Sequence, residues 1–204
     1  MTAAGARVAV FGGSFNPPHV GHQLAALLVL ETAPVDELWF VPALIHPFEK
    51  TLAPFADRFH MCELAAAALG PRARVSDIEA RLGGPSVTVR TLETLIAAHP
   101  GVSFSIVIGA DLVAETSTWY GADRLQRLAP FIVVGRQGRA RAGEGPPGVA
   151  EAGPDDPAPL AIPDVSSTAV RAAIAGGKPV ARWVPGRVLD YIRQRRLYAA
   201  DGGE

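Results

Sequence analysis

The sequence predicts an α/β protein: a doubly wound parallel sheet with helices on both faces, followed by a C-terminal helical segment. Three observations carry this. Short β-branched and aromatic runs alternate with helix-forming stretches from residue 7 to 134, the order that βαβ crossovers produce. The strand-like runs are apolar throughout rather than at every second position, as in parallel strands buried on both faces. Finally, a glycine pair closes the first of these runs just ahead of the first helical stretch.

The elements follow in order. Arg7 to Phe11 (RVAVF) reads as a buried strand that stops at Gly12-Gly13. After the loop SFNPPH, the stretch VGHQLAALLVLET is apolar through most of its length and predicts a helix with a wide buried face. Glu37 to Val41 (ELWFV) is a second strand closed by Pro42, and Phe55 to Leu69 is a second helix between Pro54 and Gly70-Pro71. Ala73 to Ser76 gives a third strand. Val87 to His99 gives a helix stopped by Pro100-Gly101. Phe104 to Ile108 and Phe131 to Val134 are strands flanking a helical Gly121 to Leu128. Gly138 to Pro159, rich in Gly, Pro and Ala, breaks the pattern and reads as a flexible loop. Order resumes at Leu160 to Ile162, with helices at Thr168 to Ala175 and Pro185 to Arg195. The expected organisation is one domain over residues 1–204 with a Rossmann-like sheet.

Composition narrows the function. The 204 residues are 49% hydrophobic, enough for a substantial core. Nineteen Lys and Arg against twenty Asp and Glu give a net charge of -1, which argues against nucleic acid as a partner. The single cysteine, Cys62, excludes an internal disulfide framework and a cysteine-rich metal site. The longest clean apolar run, Leu24 to Leu30, falls far short of the roughly 18 residues a membrane span needs. With no leader pattern at the N-terminus, the expected compartment is the cytoplasm.

The stretch richest in chemistry is Gly12-Gly13-Ser14-Phe15-Asn16-Pro17-Pro18-His19-Val20-Gly21-His22. It lies where open parallel sheets bind ligands, off the carboxyl end of a strand. Gly12 and Gly13 leave room for a phosphate, and the helix start near Val20 offers backbone N–H groups to an anion. His19 and His22 are three apart, so one helical turn aims both rings at the same spot. Gly21 between them would let a base or ribose approach the backbone. No third His, Cys or carboxylate stands nearby at ligand spacing, so a protein-held metal is not expected. A second block, Ser166-Ser167-Thr168 with Arg171 one turn on, reads either as a plain helix N-cap or as a second set of phosphate donors.

GGSFNPPHVGH resembles the HxGH-type signature of the nucleotidyltransferase superfamily, specifically the nicotinate-nucleotide adenylyltransferases, and Val165 to Arg171 is similar to that family's I-S-S-T-x-x-R. Ser76 to Glu79, Gly84 to Thr88, Gly109-Ala110-Asp111, Trp119-Tyr120, Val184-Pro185 and Tyr191-Ile192 also follow the pattern, so the resemblance runs over residues 7–198. It implies adenylyl transfer from ATP to nicotinate mononucleotide, with Mg²⁺ bound to ATP. His19, His22, Lys50 and Arg171 would be the catalytic donors. Gly12, Gly13, Ser14, Phe15, Gly21, Asp111, Ser166, Ser167 and Thr168 would hold ATP. Asn16, His46, Thr88, Trp119 and Tyr120 would meet the mononucleotide, with Trp119 stacking on the pyridine ring. The family's P-P-H-(K/R) segment is altered here to HPFEK, so Lys50 keeps the basic position while Glu49 replaces the usual histidine and His46 falls earlier. The competing readings are a sister transferase acting on phosphopantetheine or a phospho-alcohol, with ATP or CTP, and a nucleotide sensor on the same fold. A class I tRNA synthetase shares HxGH, but this chain is too short. Arg58 and Met61 read as structural, on a helix facing the core or the substrate loop, Cys62 as buried, and Arg193, Arg195 and Arg196 as a solvated helix end.

Overall fold

The computed structural model describes residues 2–45, 52–135 and 162–200. The expected loop at 138–159, along with His46 and Lys50, lies outside the described residues. The chain runs β1 (Arg7–Gly13), α1 (Val20–Thr32), β2 (Glu37–Pro42), α2 (Phe55–Ala67), β3 (Ala73–Val75), α3 (Ile78–Leu82), α4 (Thr88–Ala98) and β4 (Ser103–Gly109). A 3₁₀ segment, Ala110–Thr118, comes next, then α5 (Ala122–Leu128), β5 (Phe131–Val134), α6 (Ser167–Ala175) and α7 (Gly186–Arg195). The five strands are ordered β3-β2-β1-β4-β5, and every pairing is parallel. Strand order reverses direction at β1, which places the crevice of a doubly wound sheet between the carboxyl ends of β1 and β4.

Alternation along buried strands feeds two core layers. Ala9, Leu38, Phe40 and Val107 pack against Ala25, Ala26, Val29 and Leu30 of α1 and Cys62 and Ala66 of α2. On the opposite face Val8, Val10, Trp39, Val41, Ile106 and Ile108 meet Ile78, Leu92, Leu95 and Leu125 from α3, α4 and α5. Both faces of the sheet are thus covered, which is why the strands carry no polar side. Each fully buried Leu or Phe contributes about 1.5–3 kcal/mol by leaving water. A third cluster joins Met61 and Ala65 of α2 to Val170 and Ala173 of α6 and Val188, Leu189 and Ile192 of α7. It brings the C-terminal helices back against the sheet edge where the glycine turn lies.

Two elements were not read from the sequence. The five-residue α3 has too few positions to show a period. It is fixed instead by burial of Ile78 and by Glu79, which accepts a hydrogen bond from the Thr91 hydroxyl inside the protein. The 3₁₀ segment is polar, and its Thr116 and Thr118 hydroxyls donate to carbonyls of Val113 and Glu115, three residues back. Among the described residues, no helix is long and apolar enough to cross a membrane.

Candidate active site

All five strands point the same way, so β1, β2 and β4 deliver Gly13, Pro42 and Gly109 to one edge. Beyond it, Ala43 N–H donates to Gly13 O at 2.9 Å, keeping the chain after β2 alongside the glycine turn. A Cβ built on Gly12 would meet nothing within 4 Å, whereas one on Gly13 would meet the Phe15 ring at 3.2 Å. Gly13 thus answers an internal packing need. The room at Gly12 serves no neighbour within the described chain and suits close approach of a ligand from outside. Phe15 takes a left-handed backbone (φ 45°) and is only 1% exposed, its ring edge-on to Phe11, Phe40 and His22. Of Phe15, then, the main chain rather than the ring can meet a nucleotide.

His19 and His22 do share one spot. Their rings stack with centroids 3.7 Å apart, and together they form a reciprocal capping box at the start of α1. His22 Nδ1 accepts from the His19 backbone N–H at 3.1 Å. An accepting Nδ1 puts the proton of the neutral ring on Nε2, so His22 holds an N–H donor on its far side. His19 is 3% exposed, and His22 is half-buried. A Cβ on Gly21 would meet the His19 ring at 3.1 Å and Val165 Cγ1 at 3.2 Å. On its Cβ side, Gly21 is thus closely packed by this chain's own side chains. Likewise the Val20 N–H, expected to face an anion, donates to Trp183 O at 2.9 Å.

The late block closes on the early one. Ser167 Oγ donates to Pro17 O at 2.8 Å, and Arg171 Nη1 donates to Asn16 O at 2.8 Å. Arg171 Nη2 reaches Thr168 Oγ1 at 3.3 Å, while Ser166 caps α6 by accepting from Ala169 N–H at 3.1 Å. The start of α6, with its backbone donors, thus sits against the loop that carries His19. Asn16 is 1% exposed, and its Oδ1 accepts from both Ala53 N–H (3.1 Å) and Tyr198 Oη (2.8 Å). Its side chain anchors the loop from within, which differs from the expected contact with a mononucleotide.

A second group gathers beside this loop. Leu44 N–H donates to Ser86 Oγ at 2.9 Å, Ser86 N–H donates to Ile45 O at 3.0 Å, and Ile45 bridges to Pro85. Thr88, half-buried, opens α4 directly after them. Gly121 has φ 71°, and a Cβ there would meet Val89 at 3.1 Å, so the Trp119–Gly121 turn closes on the start of α4. Trp119 is half-buried, edge-on to Phe131 with centroids 6.4 Å apart, while Tyr120 is 81% exposed. Asp111 follows the end of β4, and its carboxylate lies where a Cβ on Gly109 would be.

Sequence reasoning left three contributors without a role at the site. Arg58 is 1% exposed on α2 and donates to three main-chain carbonyls around the glycine turn. Its signal was present: Arg58, Met61, Cys62 and Ala65 fall at i, i+3, i+4 and i+7, placing a cation on the apolar stripe of a helix. Tyr198, from the C-terminal turn, reaches Asn16, and burial pushes its hydroxyl pKa up. Arg195 is solvated as expected, and its Nε also donates to Asp57 Oδ1 at 3.3 Å beside the Tyr191 hydroxyl at 2.7 Å, tying α7 to α2. Cys62 is buried as expected, and that burial raises its thiol pKa.

Known proteins resemble this chain. The Cytidylyltransferase-like family model matches residues 10–173. A probable nicotinate-nucleotide adenylyltransferase of Anaeromyxobacter dehalogenans strain 2CP-C is 49% identical, covering 96% of this chain and 98% of that protein. Another so named, from Myxococcus xanthus, is 39% identical over 94% of each. This chain belongs to the nicotinate-nucleotide adenylyltransferase family. The fold agrees with solved structures. One is a Plasmodium falciparum nicotinic acid mononucleotide adenylyltransferase complexed with NaAD, at TM-score 0.77 and 19% identity, covering 95% of this chain and 97% of that one. A putative nicotinate-nucleotide adenylyltransferase from Vibrio parahaemolyticus gives TM-score 0.71 at 18% identity, covering 95% of both chains. For this adenylyltransferase, residues from both ends of the chain meet at one sheet edge, and Thr88, Trp119 and Tyr120 lie around the start of α4.

Proposed function

We propose that this adenylyltransferase joins ATP to the 5′-phosphate of nicotinate mononucleotide, giving deamido-NAD and pyrophosphate, a step of NAD biosynthesis. The observation that carries the reading is the closure of the late block on the histidine loop through Ser167 to Pro17 O and Arg171 to Asn16 O. That closure holds the start of α6 and Arg171 against the loop that carries both imidazoles, which supports their acting on one substrate. Family membership and relatives of that name support the choice of substrates.

In the reaction a phosphate oxygen of the mononucleotide attacks the α-phosphorus in line. A new P–O bond forms as the bond to the bridging oxygen breaks, and that electron pair leaves with pyrophosphate. Charge builds on the phosphoryl group and the leaving oxygens, so the protein's task is to position the groups and neutralise charge; no protein nucleophile is needed. His22 Nε2–H and His19 donate to phosphate oxygens, and one well-placed donor of this kind is worth about 2.7–4 kcal/mol. Arg171 turns its planar fork to the leaving phosphates, with Ser167, Thr168 and the α6 start beside it. Gly12 lets the triphosphate approach the backbone, with Gly13 and Ser14 beside it, and Lys50 adds a second cation. Asp111 accepts from a ribose hydroxyl, while Trp119 stacks on the pyridine ring with Thr88 and Tyr120 at its rim. The donor set at this edge is imidazole, guanidinium and hydroxyl. That donor set would leave a Mg²⁺ ion to the phosphates of ATP, where it would supply charge neutralisation.

Pyrophosphate release tests the reading with ATP or CTP offered against nicotinate mononucleotide, nicotinamide mononucleotide and phosphopantetheine. Release should require ATP and a pyridine mononucleotide. Turnover with phosphopantetheine, or with CTP in place of ATP, would assign the protein to the sister reaction.

A further inference from the structure

Arg58 is a charged side chain in an apolar place. It is 1% exposed, on the α2 stripe that also carries Met61 and Cys62. Its partners among the described residues are carbonyls and not carboxylates: Nε to Ala53 O at 2.9 Å, Nη1 to Ser14 O at 2.9 Å and Nη2 to Leu44 O at 3.2 Å. Its guanidinium carbon also lies 5.5 Å from the Phe55 ring centroid. Burying a cation without an anion is costly, and burial indeed draws the Arg58 pKa down. A methionine of similar length would fill this place on the stripe at lower cost. What methionine lacks is the fork of donors, and the fork joins two walls of the site. Ser14 belongs to the loop of His19, expected on the triphosphate side. Leu44 leads, through Ser86, to Thr88 on the acceptor side.

We propose that Arg58 is a positioning residue, whose guanidinium fixes the separation between the Ser14 loop and the Leu44–Ser86 wall and thereby the alignment of the two substrates. The inference rests on the adenylyltransferase reading. It concerns the distance between two half-sites, not the affinity of either. An in-line attack needs its reacting atoms aligned at about 3–3.5 Å, and a displacement of about 1 Å can cost 10²-fold in rate. Lysine keeps the charge but is a point donor that cannot span three carbonyls.

The test compares Arg58→Lys and Arg58→Met with the unchanged protein, measuring kcat, KM for ATP, KM for nicotinate mononucleotide and Tm. In both folded variants kcat should fall at least about 10-fold while each KM moves less than about 3-fold. A folded Arg58→Lys protein with kcat within about 2-fold of the unchanged protein would overturn the proposal, because charge alone would then suffice. Loss confined to KM for ATP would overturn it too, by making Arg58 a nucleotide-binding group. If neither variant folds, Arg58 is a scaffold element and the proposal falls. If the unchanged protein releases no pyrophosphate, the function itself is misassigned, an outcome distinct from normal turnover in a folded Arg58 variant.

Discussion

Replacing His22 with alanine lowers kcat at least about 10²-fold and leaves the protein folded. The size follows from the donor's role: a 10²-fold loss is about 2.7 kcal/mol of transition-state stabilisation. The structural cost is smaller and separable. His22 Nδ1 accepts from His19 N–H, so alanine removes one member of a capping box, worth about 0.5–2 kcal/mol. Tm should therefore drop by a few degrees while the far-UV spectrum stays helical and the pyrophosphate assay nearly falls silent. His22→Asn separates the two effects further. A short carboxamide can accept from the cap N–H but does not reach the phosphate as an imidazole Nε2–H does, so stability should recover while turnover does not. A folded His22→Ala protein of normal activity would remove the imidazole from the chemistry.

The second large effect is at Arg171. Arg171→Ala should cost about 10²-fold in kcat/KM for ATP, and Arg171→Lys should restore only part of it. The reason is geometric. Guanidinium presents donors in a rigid plane and can hold Asn16 O and Thr168 Oγ1 while offering its remaining N–H groups to phosphate oxygens. An ammonium group can neutralise the same charge but cannot keep both the loop and the phosphates in one plane. Some of the loss is structural, because Asn16 O would lose a charge-assisted bond worth about 1.5–3 kcal/mol. Rates over a range of ATP concentrations, set beside Tm, divide the two contributions. Equal kcat/KM in Arg171→Lys and the unchanged protein would mean that any cation serves.

Local signals made much of this molecule legible. The parallel sheet follows from apolar runs such as RVAVF and FSIVI, since only strands covered on both faces dispense with a polar side. Helix α1 begins and ends at the expected residues, because the glycine-proline loop and the apolar run mark both boundaries. Gly12, His19 and His22 could be placed together because they are neighbours in sequence. The roles of Asn16 and Phe15 were not readable in this way. Both stand in the same motif, but they are turned inward by partners more than 30 residues away or on other strands: Ala53, Tyr198 and Phe40. Arg58 could be read as facing the core or the substrate loop, but two of its carbonyl partners, Ser14 and Leu44, come from distant segments and left no local signal of what it joins. At Gly21 the sequence declares only that something comes close, and the structure shows the His19 ring and Val165 on its Cβ side.

In the proposed reaction the early imidazoles and the late guanidinium act on one bound triphosphate. The most direct measurement is a double-mutant cycle on kcat/KM for ATP, built from His22→Ala, Arg171→Ala and the double variant. Groups that share the same phosphates are coupled, so the double variant should lose less than the product of the two single losses, by at least about 1 kcal/mol. Losses that multiply without coupling, in three folded proteins, would place the two residues on separate tasks and contradict the account.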